Sequence, residues 1–210
     1  MYIVFEGIEG SGKSLQIKFL KKYLENNNFS YIITKEPGST LIGKQIRKIL
    51  LSSKNQNMCS LTELFLYNAD RAQHYKEVIL PNYRKKIIIS DRSFYSTIAY
   101  QGYGRGIDLE LLFMLNKIST NNIYPDYVIL LDCPVEIGIK RALMREKNFE
   151  NARFELEDTE FHKKIREGYL KLAKENNWLV LDSTDEPEKL HLEIVNFLQN
   201  DRNFKNFIKK

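Results

Sequence analysis

The chain has 210 residues, of which 43% are hydrophobic and 28% are charged, as in an ordinary soluble protein. No apolar run is long enough to cross a membrane, and two cysteines, Cys59 and Cys133, are too few for a disulfide framework. A membrane-spanning protein and a small disulfide-rich scaffold are therefore excluded. The net charge of +5 and the isoelectric point near 9.0 leave nucleic-acid binding open, although acidic residues are interspersed among the basic ones.

The first apolar run, residues 1–5, is followed by GIEGSGKS at residues 7–14 and then by a helix-forming stretch. Strand, glycine-rich loop and helix in this order form the setting of a phosphate-binding loop. The glycines let the backbone approach phosphates, so that amide N–H groups face the anion. Lys13 would reach the β and γ phosphates, and the Ser14 hydroxyl would bind Mg²⁺. The sequence therefore predicts a nucleoside triphosphate site.

Five short apolar runs predict β-strands, and segments of helical period separate them. The predicted strands are residues 2–5, 31–34, 87–90, 127–131 and 179–181. The predicted helices are residues 13–27, 41–51, 60–80, 108–120, 135–146, 159–176 and 186–199. The alternation predicts an α/β fold with a five-stranded parallel sheet between two layers of helices, as in P-loop NTPases. We expect one domain over residues 1–210, with ligands bound beyond the carboxyl ends of the strands.

Other local features of the sequence predict where the third helix ends, how the C-terminal tail behaves and in which compartment the protein lies. Pro81 is expected to end the third helix, because proline cannot continue the ladder of hydrogen bonds. The basic tail at residues 201–210 is expected to be frayed or loosely docked, as termini commonly are. Since the N-terminal run is predicted as a core strand and the cysteines as free thiols, we expect no signal peptide and a cytoplasmic location.

Candidate functional residues follow the third predicted strand and lie on the third predicted helix. Asp91 stands where such nucleotide sites hold Mg²⁺, and Arg92 would present a planar cation to a phosphoryl acceptor, although a strand-end ion pair would give the same sequence. Tyr67 and Arg71 are four residues apart on a helix, which suits stacking on a nucleobase and hydrogen bonding to it. A tyrosine packed on an arginine as plain surface structure is the alternative.

Residues 140–158 carry many charges between two predicted helices. Arginines on a closable lid can neutralise a transferring phosphoryl group and exclude water. A solvated charged surface explains the same composition equally well. The three histidines, His74, His162 and His191, are expected to be structural or exposed and not metal ligands.

Taken together, these segments resemble the thymidylate kinase family of bacterial type, over almost the whole chain. The matching motifs are FEGIEGSGKS at residues 5–14, EPGST at 36–40, ELFLYNADRAQH at 63–74, DRSFYSTIAYQGYGRG at 91–106, PDYVILLD at 125–132, and ARFELED followed by EFHKKIREGYLKLA at 152–173. The resemblance implies a cytoplasmic enzyme of dTTP synthesis that transfers the γ-phosphoryl group of ATP to dTMP and yields dTDP and ADP. It also implies Mg²⁺ as cofactor and a homodimer formed through the helices at residues 41–80.

The resemblance implies four overlapping sets of site residues. The catalytic residues would be Glu9, Lys13, Arg92, Arg145 and Arg153. The residues that hold the donor nucleotide would be Gly7, Ile8, Glu9, Gly10, Ser11, Gly12, Lys13, Ser14, Leu15 and Arg141. The residues that hold dTMP would be Glu9, Pro37, Arg47, Tyr67, Arg71, Arg92, Ser96, Thr97, Tyr100 and Gln101. Ser14 and, through water, Asp91 would bind Mg²⁺.

Within these sets the resemblance also implies roles. Arg47 and Arg92 would clamp the acceptor phosphate, and Glu9 would lie near the sugar 3′-hydroxyl. Tyr67 would stack on thymine while Arg71 hydrogen-bonds its carbonyl, and Ser96 or Thr97 would meet the polar edge of the base. Tyr100 would crowd the 2′ position and favour deoxyribose.

A lid is expected at about residues 144–157. One branch of the family has an arginine in the loop directly after the acidic residue, where this chain has Gly10, so Arg145 and Arg153 are expected to supply that charge. Two residues depart from the usual pattern of the family. Tyr67 replaces phenylalanine, and its hydroxyl needs a partner if it is buried. Ala152 replaces an aspartate before the lid arginine.

Three other functions fit parts of the sequence. A deoxynucleoside kinase of related fold accepts a neutral sugar, so Arg47 and Arg92 would have no phosphate to bind. A nucleotide-gated switch protein would lack the base-recognition segment at residues 63–74. A nucleic-acid binder predicts binding that depends steeply on salt. We expect ATP and dTMP as the ligands, and neither nucleic acid nor a membrane as a partner.

Overall fold

The computed structural model, which describes residues 1–144, 150 and 152–208, is built around a parallel sheet with strand order β2-β3-β1-β4-β5. The strands are β1 Tyr2–Glu6, β2 Tyr31–Lys35, β3 Ile87–Asp91, β4 Tyr127–Asp132 and β5 Leu179–Asp182. Each predicted strand is present, and each extends one charged residue further than predicted. The predicted α/β fold with a five-stranded parallel sheet is confirmed.

Helices cover both faces of this sheet. They are α1 Lys13–Asn26, α2 Leu41–Leu51, α3 Ser60–His74, α4 Phe94–Thr97, α5 Leu109–Ser119, α6 Val135–Leu143, α7 Thr159–Asn176, α8 Pro187–Asn200 and α9 Arg202–Ile208. Side-chain oxygens of Thr40, Asp108 and Asp158 accept hydrogen bonds from the third backbone amide of α2, α5 and α7, which satisfies donors that a helix start leaves unpaired. Within the described residues, no helix is both long and apolar enough to cross a bilayer.

Successive side chains of the central strand enter different hydrophobic clusters. Ile3 and Phe5 pack with residues of α1 and α8, whereas Tyr2 and Val4 pack with the helical segment that follows α3. All four side chains are completely buried. An apolar run without alternation is therefore the pattern of a strand that is covered on both sides, as the sequence indicated.

The third helix runs past Pro81, so the prediction that proline ends it is wrong. A π turn, Tyr75–Ile79, follows α3, and the helix then continues over Leu80–Asn82. A proline ring clashes with the carbonyl group four residues earlier in a regular α-helix, and the wider turn relieves that clash. A second π segment, Ile98–Gly104, extends α4. Its aromatic and glycine residues are poor helix formers, which explains why this helix is not among the predicted elements.

The C-terminal tail is helical and docked, so the expectation of a frayed or loosely docked end is wrong for residues 201–208. The Asp201 carboxylate accepts hydrogen bonds from the backbone amides of Asn203 and Phe204, at 2.7 and 3.1 Å, and from the Tyr127 hydroxyl. Phe204 is completely buried in the same cluster as Ile3 and Phe5. One aromatic side chain therefore ties this short helix to the core.

Replacement of Phe204 tests the docking of α9. We expect Phe204→Ala to lower the free energy of unfolding by about 3 to 5 kcal/mol, because it removes buried contacts and leaves a cavity. Urea unfolding followed by circular dichroism measures the change. Lys205→Ala, an exposed position on the same helix, should shift it by no more than about 0.5 kcal/mol. Equal stability of both variants and the unaltered chain would contradict the docked helix.

Candidate active site

A cavity of about 220 Å³ lies where β1, β2 and β3 end. Because these strands are neighbours in the sheet, the residues that follow them meet at one edge. The predicted site residues that line it are Glu9, Gly10, Ser11, Gly12, Lys13, Ser14, Pro37, Arg47, Tyr67, Arg71, Asp91, Arg92, Ser96, Thr97, Tyr100 and Gln101. We call this cavity the cleft.

The cleft is also lined by residues that the sequence reasoning missed. They are Lys35, Glu36, Leu51, Ser93, Phe154 and Glu155. Lys35 and Glu36 directly follow the predicted strand at residues 31–34, so the rule that ligands bind beyond strand ends could have identified them. No comparable signal marks Leu51 or Phe154, whose places in the cleft depend on tertiary packing.

The phosphate-binding loop closes around the ammonium group of Lys13. This group donates hydrogen bonds to the carbonyl oxygens of Gly7 and Ile8, both at 2.9 Å, and to the Ser11 hydroxyl at 3.3 Å. Gly7 and Ile8 therefore shape the loop through their backbone. Burial, followed by the nearby Arg92 guanidinium, lowers the pKa of Lys13 to about 8. An anionic ligand would offset both effects on the pKa of Lys13, so the loop favours the binding of phosphate.

Gly10 has no room for a side chain. Its backbone has φ +72°, and a Cβ atom built on it would lie 2.0 Å from the carbonyl oxygen of Gly138 in α6. The arginine that the other branch of the family carries at this position therefore cannot be placed here without moving α6. This contact gives a structural reason for the glycine.

A second cavity of about 480 Å³ lies on the other side of the loop. Gly10, Ser11 and Gly12 line both cavities, and Leu15 and Arg141 line only this one. Arg141 donates a hydrogen bond to the carbonyl oxygen of Ser183 at 3.2 Å. We call this second cavity the groove beside Arg141. The predicted donor-nucleotide residues thus divide between the loop itself and this groove.

Oxygen ligands suited to Mg²⁺ meet beside the loop. The Ser14 hydroxyl donates a hydrogen bond to Oδ2 of Asp91 at 3.3 Å, and both residues line the cleft. Mg²⁺ is commonly held by one or two such protein oxygens together with phosphates and water. Among the described residues, no group of three or more His, Cys, Asp or Glu side chains could hold a metal ion.

Arg92 faces the cleft from a backbone conformation that is unusual for arginine. Its φ is +75°, and its backbone amide donates to the carbonyl oxygen of Phe5 at 2.9 Å. The guanidinium donates to Glu9 Oε1 at 2.8 Å and to the hydroxyls of Tyr100 and Tyr169, both at 2.9 Å. Its side chain is 15% exposed. A strained residue held by this many partners is typical of a functional site.

Glu9 is ionised in this arrangement. Burial acts to raise its pKa, but Arg92, Lys13 and the Tyr100 hydroxyl outweigh burial, so the pKa of Glu9 lies below its usual value. The Tyr100 hydroxyl lies 2.6 and 2.7 Å from the two carboxylate oxygens. On the far side, Nδ1 of the buried His162 is 4.0 Å from the carboxylate, and burial lowers the pKa of this imidazole.

Tyr67 and Arg71 both line the cleft, but most of the N–H groups of Arg71 are already hydrogen-bonded within the protein. Arg71 is 1% exposed and donates to Glu36 at 2.8 Å, Asn116 at 2.8 Å and Thr97 at 2.9 Å. It also approaches the carbonyl oxygen of Ser93 at 3.5 Å. Since a guanidinium carries five N–H groups, at most one remains for a nucleobase.

Arg47 enters the cleft from α2, beside the loop after β2. Its Nη1 donates to the carbonyl oxygen of Pro37 at 2.9 Å. The peptide bond before Pro37 is cis, and the next backbone amide, that of Gly38, donates to Asp70 at 3.0 Å. Asp70 on α3 therefore fixes the loop against which Arg47 packs.

The two predicted lid arginines do not appear together at the cleft. Arg145 lies outside the described residues. Arg153 is buried and does not line the cleft, because its guanidinium donates to Glu63 at 2.6 Å and to the carbonyl oxygen of Leu50 at 2.5 Å. The expectation that Arg153 presents its charge to the transferred phosphoryl group therefore does not match this arrangement. Ala152, which departs from the family pattern, is completely buried beside it.

The sheet order, the glycine-rich loop after β1 and the anion-binding edge define a P-loop nucleotide-binding protein. A family model described as thymidylate kinase matches residues 5–194. The thymidylate kinase of Maridesulfovibrio salexigens is 49% identical over 201 residues, which cover 92% of this chain and 93% of that protein. The thymidylate kinase of Carboxydothermus hydrogenoformans is 45% identical over 199 residues, which cover 94% and 96% respectively.

The solved structures agree. The crystal structure of thymidylate kinase from Ehrlichia chaffeensis matches with a TM-score of 0.76 and 36% identity, and the match covers 95% of this chain and 98% of that one. The chain belongs to the thymidylate kinase family, enzymes that phosphorylate dTMP to dTDP with ATP. The family and activity predicted from the sequence are thereby confirmed.

The pH dependence of stability tests the environment of Asp70. Burial, followed by the charge of Glu36, raises the pKa of Asp70 from its ordinary value of 3.8 to about 6. Because the folded state then binds more protons than the unfolded state between these values, this carboxyl makes stability fall as pH rises from about 4 to above 6.

Asp70→Asn removes this ionisation and keeps an oxygen for the Gly38 amide. We expect the variant to gain stability relative to the unaltered chain as pH rises through 6. The midpoints of urea unfolding, determined for both proteins from pH 4 to pH 8, measure this difference. Subtracting one profile of stability against pH from the other removes the contribution of the titrating groups that both proteins share. A difference that stays constant over this range would contradict the raised pKa.

Proposed function

We propose that the cleft transfers the γ-phosphoryl group of ATP to dTMP between Lys13 on the donor side and Arg92 on the acceptor side. The observation that carries this proposal is that both cations line one cavity, although they follow different strands. Phosphoryl transfer requires chiefly positioning and positive charge where negative charge is shared. Two cations that face one cavity meet that requirement.

On the donor side, the triphosphate of ATP would pass along the loop. Gly10, Ser11 and Gly12 line both cavities, so a nucleotide whose base lies in the groove beside Arg141 can extend its phosphates into the cleft. Backbone amides at a helix N-terminus bind phosphate well. The ammonium of Lys13 would exchange its loop carbonyl partners for phosphate oxygens.

On the acceptor side, Arg92 and Arg47 would hold the phosphate of dTMP. Arg92 is the more exposed of the guanidinium groups paired with Glu9 and Glu36, at 15% against 1% for Arg71. A planar guanidinium suits two phosphate oxygens at once. Glu9, held by the Tyr100 hydroxyl, would meet the sugar, and the Tyr100 ring would exclude a 2′-hydroxyl.

The thymine base would lie against Tyr67, with the one available N–H of Arg71 directed at a carbonyl group. The hydroxyls of Ser96 and Thr97 and the amide of Gln101 complete this part of the cleft. Ser14 and Asp91 would hold Mg²⁺, with water between the ion and Asp91, and the ion would neutralise charge on the donor phosphates. Glu9, Arg92 and Lys13 would be the catalytic residues.

The positive net charge of the chain needs no nucleic acid to explain it, since phosphates bound in the cleft would use that excess of positive charge.

We also propose a cytoplasmic homodimer. Exposed apolar side chains lie on α2, α3 and α5, helices that pack against one another. They include Leu41, Ile42, Leu61, Phe65, Phe113, Met114 and Ile118. Apolar groups gathered on neighbouring helices are typical of an interface between subunits.

A coupled assay with Arg92 variants tests the transfer. The unaltered chain should release ADP from ATP with dTMP faster than with other nucleoside monophosphates or with thymidine. Arg92→Met should lower kcat/KM for dTMP by about 100-fold or more, because the acceptor phosphate loses its planar cation. Arg92→Lys should recover only part of this, since an ammonium lacks the fork. Turnover of thymidine but not of dTMP would instead favour a deoxynucleoside kinase.

Sedimentation tests the homodimer. Ile118 on α5 is 71% exposed, and Ile118→Glu should convert the dimer to a monomer by placing charge in the interface. Leu192→Glu provides the control, because Leu192 is 62% exposed on α8, away from these helices. A dimer that survives Ile118→Glu, or an unaltered chain that sediments as a monomer, would contradict the proposed interface.

A further inference from the structure

Glu63 is a completely buried carboxylate that accepts hydrogen bonds from three side chains. Oε1 accepts from Nε2 of Gln101 at 2.6 Å, and Oε2 accepts from Nη2 of Arg153 at 2.6 Å. Arg105 approaches both oxygens, at 3.3 and 3.2 Å. Glu63 lies in the first turn of α3. Of its partners, Gln101 lies in the π segment after α4, Arg105 directly follows that segment, and Arg153 lies in the chain before α7. One carboxylate thus joins three parts of the chain.

The charges of this cluster balance. Arg105 also pairs with Glu157 at 2.5 Å, so two guanidinium groups meet two carboxylates. A buried charge is tolerated only when it is paired and hydrogen-bonded, and loss of one partner is strongly destabilising. The cluster therefore holds its members in fixed relative positions.

Arg153 is held from several sides at once. Its backbone amide donates to the carbonyl oxygen of Leu51 at 3.3 Å, and its Nε donates to that of Leu50 at 2.5 Å. Its Nη2 forms the ion pair with Glu63, and the side chain is 1% exposed. Arg153 would have to break these contacts to touch a phosphate in the cleft.

The residue after Arg153 is part of the cleft. Phe154 lines it, and the guanidinium carbon of Arg153 lies 4.4 Å from the centre of the Phe154 ring. The Phe154 ring centre lies 5.5 Å from that of Tyr100 and 6.4 Å from that of Tyr67, the two aromatic residues assigned above to sugar and base. The position of Arg153 consequently sets the shape of the acceptor side.

We propose that Glu63 is a positioning residue of the acceptor site, which acts through Arg153 to fix Phe154 as the wall beside Tyr67 and Tyr100. It also fixes the amide of Gln101, whose Nε2 it holds. This inference rests on the proposed binding of dTMP in the cleft, and it replaces phosphate contact by Arg153 with a role in shaping the site. Glu63 itself touches no substrate.

Arg153→Met is the decisive variant. It retains a long side chain, and Glu63 keeps Arg105 as a charged partner. We expect the KM for dTMP to rise about tenfold or more, with kcat and the KM for ATP within about twofold of their original values. If Arg153 instead contacts the transferred phosphoryl group, kcat should fall about 100-fold with little change in the KM for dTMP, which would overturn the proposal.

A double-mutant cycle tests whether Glu63 acts through Arg153. Glu63→Gln should raise the KM for dTMP, and the double variant Glu63→Gln/Arg153→Met should resemble Arg153→Met within about twofold, because both changes break one connection. Multiplicative effects would show independent roles and overturn the proposal. If Glu63→Gln does not fold, as judged by circular dichroism, the split between KM and kcat in Arg153→Met still decides.

Arg166→Met provides the matched control. Arg166 on α7 forms a two-point ion pair with Asp132, at 2.7 and 2.8 Å, and lines neither the cleft nor the groove beside Arg141. All its kinetic constants should stay within about twofold. An equal rise of the KM for dTMP in this variant would reduce the effect to general loosening and overturn the proposal. Absence of dTMP turnover in the unaltered chain would refute the proposed function, whereas an unchanged KM in Arg153→Met refutes only the inference.

Discussion

The ion pair between Arg92 and Glu9 is the interaction on which the rest of the cleft depends. Arg92 is placed by a left-handed backbone turn at the end of β3, and without Glu9 its guanidinium would keep hydroxyl partners but lose the carboxylate that balances its charge. Glu9 belongs to the phosphate-binding loop, so the pair links the donor side of the cleft to the acceptor side before any ligand binds. In the proposed function, an arriving phosphate would compete with a carboxylate that already holds the cation in place.

Arg71, Arg153 and Arg92 are each paired with a glutamate, but the first two are buried whereas Arg92 is partly exposed. Arg71 pairs with Glu36 and Arg153 pairs with Glu63, and both guanidinium groups are almost fully enclosed by protein acceptors. Arg92 retains contact with the open cleft. Enclosed pairs fix the relative positions of helices and loops, whereas a partly open pair can exchange partners. An arginine–glutamate pair therefore stabilises the structure when it is enclosed by protein and can take part in binding when it is open to the cleft.

Much of the fold and part of the site could be predicted from the sequence, because the signals are local. Each strand was found as an apolar run, and each was predicted one residue short because a charged residue such as Glu6 or Asp182 ends the run but not the hydrogen bonding. The spacing of the loop identified Lys13 and Ser14. Arg153 shows the limit of such signals. An arginine in a charged segment fits a phosphate ligand, but in the structure its guanidinium pairs with Glu63, which is 90 residues away along the chain. The individual roles of Tyr67, Arg47 and the metal ligands stay predictions.

The close contact between Gly10 and Gly138 limits what the loop of this chain can carry. Because the loop and α6 touch backbone to backbone there, a cation cannot be added at position 10 by a single substitution. In this chain a bulky residue at position 10 would need a displaced helix, so any added charge would have to come from another element. Exchange of Gly10 alone would displace α6, so a bulky residue there would have to be accompanied by a change at a position distant in the sequence.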